Sequence, residues 1–162
     1  MIHHQRILTV FFLSFIPLCC AGAGKNTAEF VARIYDQYQT RRIPDLLGPA
    51  GDTIFTPIFL EKYRALSKKS PDRHVIGWDP LCWCDDAEFP GYAISEVKLK
   101  MLVNRADYAE VDVLLKISGF GQGGVLILKK ISGRWLIDDI RSTEILSLKK
   151  YIEGLLDPKR IK

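Results

Sequence analysis

The sequence predicts a segregated α+β domain: two N-terminal helices, a curved antiparallel meander forming a cone, and a closing C-terminal helix. Three observations carry that prediction. Apolar residues recur at helical spacing in two early segments, strict alternation runs through the segments that follow, and a last helical stripe closes the chain.

Residues 1–23 stand apart from this domain. Met1–Arg6 has one formal positive charge, at Arg6, and Ile7–Leu18 is a twelve-residue apolar run. A membrane-crossing helix needs about 20 such residues. Pro17 breaks the run near its end, and Ala21-Gly22-Ala23 supplies small residues for a signal peptidase. The segment reads as a cleavable secretory signal cut after Ala23, leaving residues 24–162 as one periplasmic or secreted domain with no stable transmembrane segment. Lipidation at Cys19 or Cys20 is disfavoured, because Ile16, Pro17 and Leu18 are poor company for a lipid-accepting cysteine.

The formal charge of the whole chain is +4, and acidic and basic residues are mixed along it. Only Lys68-Lys69 and Lys159-Arg160-Ile161-Lys162 cluster. A nucleic-acid partner normally leaves a stronger basic stripe, so none is expected.

Asn26 and Glu29 have the spacing of a capping box, and Phe30, Val31, Ile34, Tyr35 and Tyr38 follow on one helical face. The pattern ends near Arg41-Arg42. Gly48, Pro49 and Gly51 make Asp45–Thr53 a loop. Thr56-Pro57 opens a second helix, with Phe59, Leu60, Tyr63 and Leu66 as its apolar face and Ser70-Pro71 as its end. The chain then reads as irregular to about Gly91. Val97, Leu99 and Met101 alternate with lysines, and Ala109, Val111, Val113, Leu115 and Ile117 alternate with Glu110, Asp112 and Lys116, so both runs read as strands. Gly119–Gly124 reads as a flexible hairpin tip between the second run and a strand at Val125–Ile131. A phosphate loop would have to open a helix there, and none follows. Arg134–Arg141 is the last strand, and Thr143–Leu156 the last helix.

Three groups of residues could carry chemistry. Asp79, Asp85, Asp86 and Glu88 form the densest acidic cluster, suited to a general base or a hard cation, or simply to a capped turn with solvated carboxylates. Cys82-x-Cys84 in an exported chain could be a disulfide or two buried thiols. Metal binding is weaker because His74 is the only histidine beyond the signal, and redox catalysis because its usual spacing is Cys-x-x-Cys. In Asp138-Asp139, alternation from Trp135 and Ile137 sends Asp139 inward and Asp138 outward. An inward Asp139 could act as a base, or be held by backbone amides or by Arg134 or Arg141. No cofactor motif is present.

The segments Trp78-Asp79-Pro80-Leu81-Cys82-Trp83-Cys84-Asp85-Asp86 and Gly133-Arg134-Trp135-Leu136-Ile137-Asp138-Asp139-Ile140 resemble the signature of a bacterial exported family, domain of unknown function 3828. That family belongs to the nuclear-transport-factor-2-like group with its cystatin-like cone. Asp79, Pro80, Cys82 and Asp86 match its Asp-Pro-x-Cys segment ending in Gln-Asp, whereas Asp85 stands in place of the glutamine and Cys84 is extra. The resemblance covers residues 28–156 and implies a curved sheet with helices in its mouth and no established activity.

The sequence therefore points to an exported, non-enzymatic binding protein of immunity or envelope-accessory type. It would meet a protein partner or small ligand through Trp78, Asp79, Trp83, Asp85 and Asp86. The alternative is an isomerase- or hydratase-like enzyme with Asp139 or Asp79 as base and Tyr35 or Tyr63 as hydrogen-bond donor.

Overall fold

The computed structural model describes residues 21–69, 78–85 and 94–157. Helix α1 spans Ala21–Gln39, α2 Gly51–Ile54 and α3 Pro57–Lys69. A short hairpin pairs β1 (Trp78–Asp79) with β2 (Cys84–Asp85). The main sheet is an antiparallel meander in the order β3-β4-β5-β6: Ile94–Asn104, Tyr108–Ile117, Phe120–Ile131 and Arg134–Arg141. Helix α4, Leu148–Leu156, closes the chain. This is the α+β order that the sequence predicts, a curved sheet with helices before and after it.

Several local expectations are corrected. Asn26 lies inside α1, because the helix already runs from Ala21. A local capping signal is weak, and glycine costs a helix only about 1 kcal/mol, so Gly22 and Gly24 do not stop it. The helix ends as expected beyond Gln39, where Arg41 adopts φ 57° and the amides of Arg41 and Arg42 donate to the carbonyls of Tyr38 and Gln37. That paired closure satisfies two otherwise orphaned carbonyls. The 45–53 loop contains the start of the helical turn α2. Helix α4 starts at Leu148 rather than Thr143, because Ser147 caps it by accepting from the Lys150 amide.

The largest correction concerns the glycines. Gly121–Gly124 is not a hairpin tip but strand, paired from Gly121↔Lys116 to Gly124↔Val113. The turn itself is only Ser118-Gly119, with φ 50° and 91°. Both residues sit in the left-handed region, the geometry a two-residue hairpin needs to match strand twist.

One side of the sheet carries the core. Ala109, Val111, Val113, Leu115 and Ile117 of β4 are all buried there, and their partners Leu126 and Leu128 of β5 share that face. Phe30, Val31, Ile34, Tyr35 and Tyr38 of α1 and Phe59, Leu60 and Leu66 of α3 join the same core. Full burial of such a side chain contributes about 1.5–3 kcal/mol. Before α3, the Thr56 amide donates to the Ile137 carbonyl at 2.8 Å, and Phe55 forms an isolated parallel bridge with Ile137. The connection between α2 and α3 thus clips onto the outer edge of β6.

Candidate binding groove

Residues 80–83 turn between β1 and β2. Asp79 holds the turn from inside: its Oδ1 accepts from the Leu81 amide at 2.8 Å and the Cys82 amide at 3.4 Å. Its Oδ2 accepts from the Tyr38 hydroxyl at 2.7 Å, and the Tyr35 hydroxyl donates to the Leu81 carbonyl at 2.9 Å. Two tyrosines one helical turn apart on α1 therefore fasten the hairpin to the helix. Burial first, and the Asp79 charge second, hold both phenols well above their ordinary pKa. They stay protonated as donors throughout the physiological range.

Asp79 is thus a structural carboxylate, buried and satisfied. Changing Tyr38 to Phe removes a charge-assisted hydrogen bond and leaves Asp79 Oδ2 without that donor, a loss of about 2 kcal/mol. The expected fall in melting temperature is roughly 6–8 °C, read by thermal denaturation followed by circular dichroism.

Cys82 and Cys84 are joined by a disulfide with Cα atoms 5.2 Å apart. Between them Trp83 adopts φ 53°, a left-handed conformation that costs a bulky residue about 1–3 kcal/mol. The disulfide on either side and the Trp83 amide, which donates to the Asp79 carbonyl at 2.9 Å, hold it there. The indole projects onto β5 at Gly124, where an added Cβ would lie 2.7 Å from Trp83 Cζ2. Two features whose contacting residues, Trp83 and Gly124, are 41 positions apart in the sequence, the aromatic loop and the glycine run, are thereby in contact. The indole Nε1 is buried with no acceptor among the described residues.

Beside Trp83 lies a groove of about 910 Å³, floored by Gly121–Val125 of β5 and walled by Arg141–Ile145. The wall segment turns back on itself: the Ser142 amide donates to the Ile145 carbonyl at 2.8 Å, and the Ile145 amide to Ser142 Oγ at 3.1 Å. Phe120 and Leu146, 74% and 85% exposed, are large apolar side chains close to this region in the chain.

Of the two aspartates of β6, Asp139 is placed opposite to expectation, while Asp138 faces away from the core as expected but is buried rather than solvated. Leu128 pairs with Ile137 and Ile127 with Asp139, so Asp138 is an extra residue in a β-bulge. The extra residue shifts the alternation by one, as any single-residue slip must. Asp139 consequently shares the face of Ile127, away from the core, and Asp138 is only 5% exposed. Asp139 accepts from the Ser147 hydroxyl at 2.6 Å and the Lys149 amide at 2.9 Å, tethering the start of α4. Neither Arg134 nor Arg141 is its partner among the hydrogen bonds of the described residues. Asp138 accepts from Thr56 Oγ1 at 3.0 Å and from the ammoniums of Lys149 at 2.7 Å and Lys129 at 2.9 Å.

Of the predicted contact residues, Trp83 lies in the groove and Asp79 beneath the turn that carries it. Trp78 and Asp85 are backbone partners across the short hairpin, and their side chains lie outside the described residues, as do Asp86, Glu88, His74 and the signal segment before Ala21. Tyr35 is committed to the hairpin, and Tyr63 packs edge-on against Phe55, their rings 6.2 Å apart. Sequence reasoning missed the 141–145 wall and Gly124 as the seat of the indole. The signal that could have found the latter is Gly121-x-Gly123-Gly124 inside an otherwise β-prone run. Among the described residues, no helix is long and apolar enough to cross a membrane. Compared with known proteins, the chain matches no family model and no curated protein.

Proposed function

We propose that this chain is an exported, non-enzymatic binding protein of the bacterial periplasm, of immunity or envelope-accessory type, built on a nuclear-transport-factor-2-like cone. Its partner is met at the groove beside Trp83. The observation that carries this reading is Trp83 itself. A bulky residue is kept in a costly left-handed conformation between two bonded cysteines and laid on a glycine at the edge of an open groove. Such strain is retained where a half-buried side chain must be held in one pose, and tryptophan is among the side chains most enriched at interface hot spots. The carboxylates that a catalytic reading would use support the same conclusion, since Asp79 holds a turn and Asp139 a helix start.

The test is affinity capture from envelope extracts of the host, with the wild-type protein and Trp83→Ala compared side by side. A stoichiometric partner is expected on the wild type and lost from the variant, whose circular dichroism spectrum should match the wild type in the far ultraviolet. A partner retained equally by both forms would remove the groove from the reading. No partner on either would remove the binding function.

A further inference from the structure

The groove has a hydrogen-bonding demand that its side chains do not reveal. The two-residue turn Ser118-Gly119 closes on the pair Ile117↔Phe120, so Phe120 directs both its backbone groups at β4. By antiparallel alternation Gln122 and Gly124 do the same, while Gly121 and Gly123 direct theirs to the opposite edge. From Val125 onward that edge is taken by β6, beginning with Val125↔Arg141. At Gly121 and Gly123 no strand is present among the described residues, because the chain leaves the sheet after Arg141 and makes its bonds within the Ser142–Ile145 turn.

Elsewhere the sheet protects its edges. The outer edge of β6 is clipped by Phe55 and Thr56. Strand β3 carries exposed Lys98 and Lys100 and is irregular at Ile94/Glu96 and Met101/Val103. Charges and bulges of that kind deter pairing with another chain. The stretch Phe120–Gly124 has neither, and its two outward-bonding residues are glycines with no side chain to shield the backbone.

Resting on the binding reading above, we propose that this edge of β5 receives an extended peptide segment of the partner, which pairs as an added strand through the backbone of Gly121 and Gly123. Main-chain pairing supplies the register, and apolar side chains of the peptide lie against Ile145 and the Trp83 indole that line the groove. A second copy of this chain fits worse. Five residues of strand make an edge about 16 Å long, and with a sheet about 10 Å thick such an edge covers about 160 Å² per side. Stable associations bury about 1,200 Å² or more in total. A peptide adds to that edge the walls of the groove, which a second sheet edge does not enter.

Gly121 gives a clean test. A Cβ there meets only Leu114 Cδ1 at 3.9 Å, so Gly121→Ala keeps the fold and the amide donor. Gly121→Pro keeps the ladder to β4 but removes the donor facing the open edge, a position where strands accept proline. The probe is a phage-displayed library of short random peptides, selected against the purified wild-type protein. Enriched peptides are expected to bind Gly121→Ala as well as wild type and Gly121→Pro about tenfold more weakly or worse, the worth of one hydrogen bond in a groove. They should also slow hydrogen exchange at the Gly121 and Gly123 amides. No enrichment, or peptides indifferent to Gly121→Pro, would overturn the proposal. So would sedimentation showing a dimer that Gly121→Pro dissolves, which would assign the edge to a second copy. If an envelope partner is lost with Trp83→Ala yet kept by Gly121→Pro, the strand-pairing inference fails while the binding reading stands.

Discussion

Gly124→Val is expected to cost about 4 kcal/mol or more, enough to leave little folded protein at growth temperature. A Cβ at this position would stand 2.1 Å from the Arg141 carbonyl oxygen and 2.7 Å from Trp83 Cζ2. Neither neighbour can move cheaply. The carbonyl belongs to β6 at its pairing with Val125, and the indole hangs from a residue fixed between two bonded cysteines. Overpacking against movable side chains usually costs 1–3 kcal/mol, and a backbone carbonyl does not relax as a side chain does. Urea denaturation checks this, with Gly121→Ala as the matched control, since its Cβ finds ordinary contact. The control should lie within about 0.5 kcal/mol of wild type or slightly above it. Equal stability of wild type and the valine variant would mean that the indole does not rest on Gly124.

Asp138→Ala should produce the second large effect, about 2–3 kcal/mol. It removes the acceptor shared by Thr56, Lys149 and Lys129 and leaves those groups facing a void. Breaking a fully buried ion pair can cost 3–5 kcal/mol. The lower figure follows because the Lys129 and Lys149 side chains are 50% and 23% exposed, so water screens part of the attraction. Asp138→Asn, which keeps an acceptor for Thr56, should cost less.

The pH dependence has a definite sign. Burial pushes the Asp138 pKa up, but the hydrogen bonds from Lys149, Lys129 and Thr56 outweigh it, and the folded-state value falls below 3.8. A carboxyl depressed by folding stabilises the protein above its unfolded pKa and loses that contribution as the pH drops through the folded value. Wild type and Asp138→Ala should therefore differ by a constant amount from neutrality down to about pH 5 and converge below about pH 4. Urea midpoints measured across that range decide the matter; a gap that widens in acid would contradict the assignment.

Much of the scaffold was legible because burial on one side of a sheet imposes a period of two, and β4 shows it without a break from Ala109 to Ile117. Helix α3 was equally plain, with Thr56 and Pro57 at its start. The misreadings share a physical origin. Glycine has low strand propensity in isolation, so Gly121–Gly124 looked like turn. Only contacts distant in sequence, the Arg141 carbonyl and Trp83 at Gly124 and the Val113 carbonyl at Gly123, explain glycine in the strand there. The bulge at Asp138 is invisible locally, since nothing in Ile137-Asp138-Asp139 announces an extra residue. Its cause lies 82 residues away, at Thr56, which bonds to the carboxylate that the bulge turns toward it. Helix α4 began late because Asp139 and Ser147 set its first turn by a contact across a loop. Trp83 was legible as a candidate from its setting, but its seat was not, because a contact across 41 positions leaves no periodic trace.

The clip between the α2–α3 connection and β6 has a bearing on how the chain assembles. Phe55 and Thr56 have no strand to join until Ile137 and Asp138 exist and are paired to β5. During synthesis the first half emerges with the apolar face of α3 uncovered; α1 closes on β3, but α3 must wait for β6 and α4. Contacts of such long sequence separation slow folding, since the loop must close before they return any energy. The slow event in this molecule is therefore the docking of the α2–α3 connection onto the last strand, and a chain truncated before Arg134 lacks the strand that receives it.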